Sequence, residues 1–150
     1  MDCFNHILAA LSKGLDSLFP DIPVFAEEIP QELPERCFLT GFAGEVEVLR
    51  DLGERYRIEG SLDITYLAPQ NGPETETRRE LNRIAGKIAL ELGVIRYQNT
   101  VLRLRKHRCR TDGSELHNIC EFYTFLFRLD RTPVMDQIKV GEKRVKNERG

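Results

Sequence analysis

From Arg55 to Leu67 the chain alternates: Tyr56, Ile58, Leu62, Ile64 and Tyr66 are interleaved with Arg55, Arg57, Glu59, Asp63 and Thr65, and Gly60-Ser61 keeps the phase. A period of two belongs to a half-buried strand, with one wall on a core and the other toward solvent. The pattern recurs at 100–110, where Leu102 and Leu104 point away from Arg103 and Arg105. Asp112-Gly113 follows, then a return run over 115–129 containing Phe122-Tyr123-Thr124-Phe125-Leu126-Phe127. Two such runs around an Asp-Gly pair predict a β-hairpin. With that pair in the turn, Arg110 falls beside Glu115, Arg108 beside His117, Lys106 beside Ile119, Leu104 beside Glu121 and Leu102 beside Tyr123. The hairpin base is then apolar, and a charged tip projects from the domain.

Two segments have helical spacing instead. Phe4, Ile7, Leu8, Leu11, Leu15, Leu18 and Phe19 form one stripe, with Asp2 placed to cap it and Pro20 and Pro23 to end it. Leu81, Ile84, Ala85, Ile88, Ala89 and Leu92 form a second stripe, closed by Gly93. Between the helices, Val24–Ile29 reads as a short extended run held near a sheet edge by Pro30 and Pro34. Residues 36–49 read as a longer strand, with a bulge or bend at Gly41 or Gly44. The order α-β-β-β-α-β-β describes an α+β fold, one antiparallel or mixed sheet covered by two helices. Residues 1–130 are expected to form one domain. Residues 131–150 form a polar C-terminal extension that carries Val134, Met135, Ile138 and Val140.

In 150 residues that are 41% apolar there is enough to bury a core, and no apolar run reaches the length of a membrane span. Met1–His6 has no basic n-region, so no signal peptide and a reducing cytosol are expected. Cys3, Cys37, Cys109 and Cys120 form no CxxC pair and read as small buried hydrophobes. Neither a Walker pattern nor GxGxxG occurs. His6, His107 and His117 read as satisfied polar residues. His107, Cys109 and Cys120 fall one ligand short of a tetrahedral zinc site, so packing is the better reading. Glu27-Glu28 and Glu45 with Glu47 read as solvated strand faces. No catalytic, cofactor or metal site is expected.

The charge is more telling. Net charge is −2, yet residues 1–95 carry 17 acidic and 9 basic side chains, and residues 96–150 carry 7 and 13. Arg103, Arg105, Lys106, Arg108 and Arg110 concentrate the positive half on one strand. A nucleic-acid-binding module using 103–110 would want interleaved aromatics, and the strand has none. A protein interface is the stronger reading, with nucleic-acid binding as the alternative.

The run Leu18-Phe19-Pro20-Asp21-Ile22-Pro23-Val24-Phe25, then Glu27-Glu28 and Pro34-Glu35-Arg36-Cys37-Phe38, resembles tail terminator proteins of phages and prophages of Gram-positive bacteria. The likeness continues through Arg55-Tyr56-Arg57, Asp63-Ile64-Thr65-Tyr66-Leu67, the second helix, the hairpin and Met135-Asp136. It implies a structural protein with no catalytic residues. Such proteins form a ring, usually a hexamer, that caps the head-proximal end of the tail tube and meets the head-side connector. The expected partners are therefore further copies of the chain, the tail tube protein and the head-tail connector protein. No membrane, small-molecule substrate or cofactor is implied, and DNA enters only as cargo passing through the ring. The expected location is a virion or tail-like particle assembled in the bacterial host cytoplasm; a head-closure or connector subunit is the neighbouring alternative. A ring needs one patch to meet a different patch on the next subunit. Arg103, Arg105 and Arg108 against Glu45 and Glu47 are the candidate subunit contacts, and Val134, Met135, Ile138 and Val140 the candidate partner-binding tail.

Overall fold

The computed structural model describes residues 2–50 and 53–127, so the predicted extension with Val134, Met135, Ile138 and Val140 lies outside the described residues. The elements are α1 (Cys3–Leu18), β1 (Val24–Ala26), β2 (Cys37–Phe42), β3 (Glu47–Arg50), β4 (Arg55–Leu67), α2 (Glu74–Glu91), β5 (Val94–Tyr97), β6 (Thr100–Asp112) and β7 (Glu115–Phe127). Two helices and a mixed seven-stranded sheet make up the described residues, in agreement with the α+β reading. The sheet runs β1-β2-β4-β7-β6-β5, with β3 pairing β4 off this path. β1 is parallel to β2, and β2 is antiparallel to β4.

The chain divides into two compact units. The larger comprises Asp2–Glu47 and Glu59–Thr124. The smaller contains, among described residues, 48–50, 53–58 and 125–127; within it the Arg55 guanidinium lies 4.3 Å from the Phe125 ring centroid.

The larger unit is built on α1. Asp2 caps it as expected, its Oδ1 accepting from the Asn5 N–H at 3.3 Å. Ile7, Leu8, Ala10, Leu11 and Leu15 are buried. α1 touches β1 and β2 and also β5 and β6, strands at opposite ends of the sheet order. A flat sheet cannot present both ends to one helix, so the sheet curls around α1, as its intrinsic twist allows. Tilted aromatic pairs line the seam: Phe19–Phe38 and Phe38–Tyr66 at 5.2 Å, and Phe42–Phe122 at 5.9 Å. α2 packs on β6 with Leu81, Ile84 and Ile88 fully buried. Its outer turn is tied to the sheet by Glu80, which accepts from the Tyr66 hydroxyl and, at 3.0 Å, from Arg36 Nη1. Burial raises Tyr66 to about 12; Glu80 adds to this and Arg36 opposes it.

The layout of strands and turns departs from the sequence expectations in four places. The expected strand 36–49 breaks into β2 and β3, because Gly44 sits at φ +80, outside extended geometry. β5 is an added strand, antiparallel to β6 and joined to it by a turn with Gln98 at φ +54. Its four residues are too few to display alternation, and only the pairing identifies them as a strand. The hairpin register also differs. Gly113, at φ +63, takes the first turn position, so Gly113-Ser114 is the loop and Asp112 pairs with Glu115. Arg110 then faces His117 and Arg108 faces Ile119; Lys106 and His107 bulge opposite Cys120, after which Arg105 faces Glu121, Leu104 Phe122 and Arg103 Tyr123. Finally, the hairpin tip does not stand free, since the Ser114 carbonyl accepts from the Ala68 N–H at 3.0 Å, just beyond β4.

Gly60 allows the 45–46 segment to cross β4. A Cβ there would lie 2.9 Å from the Glu45 carbonyl oxygen, 3.3 Å from Val46 Cα and 3.2 Å from Phe122 Cε1. Backbone cannot yield as a side-chain tip can, so Gly60→Ala is expected to cost about 1–3 kcal/mol of stability, read from the urea midpoint. A second expectation concerns alkaline pH. Cys120 is raised from 9.0 to about 12, by burial first and then by Cys109 and Asp63, while Tyr66 starts from 10.0. The unfolded chain releases these protons before the folded chain does. Their stabilisation is therefore complete below about pH 9 and is lost as pH rises toward 12. The thermal midpoint should fall across that window, and Cys120→Ala should make the fall shallower from its lower end.

Candidate assembly surface

The sheet of the larger unit has one face toward the helices and, among the described residues, one without them, and register assigns the residues. Phe38, Thr40 and Phe42 of β2 pair with Tyr66, Ile64 and Leu62 of β4 on the core side. Leu39 and Gly41, paired with Thr65 and Asp63, therefore lie on the other face. On β7, Leu116, Asn118, Cys120 and Phe122 are buried, and the alternate His117, Ile119, Glu121 and Tyr123 share the helix-free face.

Arg103, Arg105, Arg108 and Arg110 all pair with that second set. Their sequence spacing has an odd step between 105 and 108, which in a regular strand would send Arg108 and Arg110 to the opposite side. The two-for-one bulge at Lys106-His107, with Lys106 at φ +57, absorbs the extra residue. All four arginines thus form one stripe.

Within the stripe the roles divide. Arg103 lies 5.9 Å and Arg105 5.4 Å from the Tyr123 ring centroid. Arg105 Nε also donates to Glu121 Oε1 at 3.2 Å, and Lys106 Nζ is 3.8 Å from Glu121 Oε2. These pairs are largely exposed and orient the side chains more than they stabilise the fold. Arg108 and Arg110 are exposed, and among the described residues their side chains have no ion pair or hydrogen bond. Tyr123 supplies the aromatic that the strand's own sequence lacks, but its ring is occupied by two arginines of its own chain.

The acidic candidates lie elsewhere. Glu45 is exposed in the loop before β3, and Glu47 is exposed at the start of β3. Glu47 lines a recess of ≈ 260 Å³ together with Glu59, Arg105 and Glu121. The structure therefore brings Glu47 and Arg105 together inside one subunit, whereas Glu45, Arg103 and Arg108 do not line that recess.

A second recess of ≈ 320 Å³ lies over β2 and β4, with Glu27, Glu28 and Asp63 as its charged residues and Ile29, Leu39 and Phe42 as its apolar ones. Glu27 sits at φ +56, an uncommon conformation for a non-glycine residue, held by its N–H donating to the Thr40 carbonyl at 2.8 Å. Asp63 accepts from the Thr65 hydroxyl at 3.0 Å. Ile29 is 76% exposed beside these acids. An apolar residue next to Glu27-Glu28 was the available sequence signal, but only folding brings Asp63 to the same place.

The histidines are tied into structural contacts. His6 Nε2 and the Thr100 hydroxyl share a hydrogen bond of 2.8 Å. His107 Nε2–H donates to the Leu92 carbonyl at 2.8 Å. His117 Nε2–H donates to Glu115 at 3.1 Å. Of the cysteines, Cys37 and Cys120 are buried as expected, and burial pushes both thiols up. Cys109 is exposed instead, because β6 runs beyond β5 at that point; its sulfur accepts from Asn118 Nδ2 at 3.1 Å. No group of three or more His, Cys, Asp or Glu among the described residues is arranged to hold a metal ion.

A family model described as phage tail terminator protein matches residues 6–133. No curated protein matches the sequence. The family match takes in all but the first few residues of α1 and every later element of the sheet and helices, including the arginine stripe and the acidic recess. With so much of the chain matched, this protein belongs to the phage tail terminator family, whose role is structural, in tail assembly.

Proposed function

We propose that the protein forms a ring, a hexamer, that caps the head-proximal end of a phage tail tube, stops its polymerisation and presents a surface to the head-side connector. The family match over 6–133 carries this reading. On this reading the protein works in a virion or tail-like particle, with the tail tube protein and the head-tail connector protein as its partners. The charge division supports it, since a subunit with an acidic half and a basic half can meet its neighbours head to tail, gaining orientation and specificity. Arg103, Arg105 and Arg108 belong to the basic side of that contact, facing an acidic surface of the next subunit for which the sequence offers Glu45 and Glu47. Val134, Met135, Ile138 and Val140 contact a neighbouring subunit or the tube protein.

Sedimentation velocity and negative-stain micrographs of the purified protein test the reading. Rings are expected, and a compact monomer at every concentration would refute it. Deleting residues 132–150 is expected to leave the circular-dichroism spectrum and thermal midpoint close to those of the full chain. Phage that depend on the truncated protein should produce tails of uncontrolled length or tails that fail to join heads. Normal tails would remove the C-terminal residues from the interface.

A further inference from the structure

The stripe and the recess each hold charge that the described fold leaves unused. β5 covers β6 only across Thr100–Arg103, and the Leu104 N–H donates to the Gly93 carbonyl. From Arg105 to Asp112 the outer side of β6 therefore carries no strand among the described residues. Exposed basic residues and a bulge keep such an edge from pairing indiscriminately. Arg108 and Arg110, two residues apart on one face, stand ~7 Å from each other along the strand. The recess over β2 and β4 has the opposite character: Glu27 and Glu28 are exposed, Asp63 is engaged by one hydroxyl, and Ile29 and Leu39 offer apolar surface.

We infer that the Arg108–Arg110 edge of β6 docks into the Glu27–Glu28–Asp63 recess of a second copy of this chain. The inference rests on the ring reading and specifies the contact that would build the ring. Charge complementarity names the occupant. An arginine is suited to such a recess because its methylene stem can lie on Ile29 and Leu39 while its guanidinium forks onto a carboxylate. The contact is intermolecular: in the sheet order β6 is separated from β2 by β4 and β7, about 15 Å at ~4.8 Å per strand. Stripe and recess are different patches, so a head-to-tail arrangement of this contact propagates from copy to copy until it closes. It also moves the acidic side of the interface from Glu45 and Glu47, the second of which already shares a recess with Arg105 of its own chain.

Two double variants of the full chain test this, Arg108→Glu with Arg110→Glu, and Glu27→Lys with Glu28→Lys. Each by itself places like charges in contact, and sedimentation equilibrium should show self-association weakened on the order of 10-fold or more. Mixed one to one, each variant offers the other a complementary stripe and a complementary recess, so assemblies of wild-type size should return. Glu27→Gln with Glu28→Gln keeps the shape and removes the charge, and should weaken association and flatten its salt dependence. Folded variants that assemble like wild type, or a mixture that stays dissociated, would overturn the docking. If wild-type protein is itself monomeric, the ring reading fails first, and the variants need not be made to learn it.

Discussion

The burial of α1 inside a curled sheet is the contact on which the larger unit depends. Ile7, Leu11 and Leu15 are fully buried and Leu8 nearly so. Each such side chain contributes about 1.5–3 kcal/mol relative to exposure, an upper figure because unfolded chains are themselves partly collapsed. The helix meets strands near both ends of the sheet, so the same apolar stripe sets the sheet's curvature and the placement of its edges. Without α1, Phe38 and Phe42 of β2 would have no opposing layer on much of their face.

Polar contacts then fix details that the apolar contacts leave open. Glu80 gathers the Tyr66 hydroxyl and Arg36 and ties α2 to β4 and the approach to β2, across gaps of 14 and 44 residues. Burying the Tyr66 ring without a partner for its hydroxyl would carry a desolvation cost, and Glu80 removes it. The Ser114 carbonyl with the Ala68 N–H does similar work at the hairpin tip, holding a turn that would otherwise be free. The result is a hairpin whose inner strand is firmly placed and whose outer strand has an exposed, basic margin.

The bulge at Lys106-His107 links this fold to assembly. It costs a local break in pairing and a positive φ at Lys106, and in return aligns four arginines on one face. Two of them are held over Tyr123, and two face solvent. A rigid sheet presents charges at nearly fixed spacing, which is what the repeated contact of the proposed ring would use. Membership of the tail terminator family gives that surface a structural context, tail assembly.

Much of this molecule could be read from local pattern. The two helices, the cap at Asp2, the long strand 55–67, the short edge run at Val24 and the existence of a hairpin follow from periodicity and turn chemistry, because burial on one face leaves a period in the sequence. The split charge was legible in the same way. What tertiary structure decided was registry and proximity. One glycine, Gly113, shifted the turn by a residue, and the bulge reset the pairing, so the sequence alone assigned the wrong cross-strand neighbours to Arg108 and Arg110. β5 was too short to show a period and became a strand only by pairing. Asp63 joined Glu27 and Glu28 only because β2 and β4 are neighbours in the sheet, bringing Gly41 opposite Asp63. Periodicity records which side of an element is buried, whereas a shared surface depends on how elements are laid beside one another, and that is set by the packing of the whole unit.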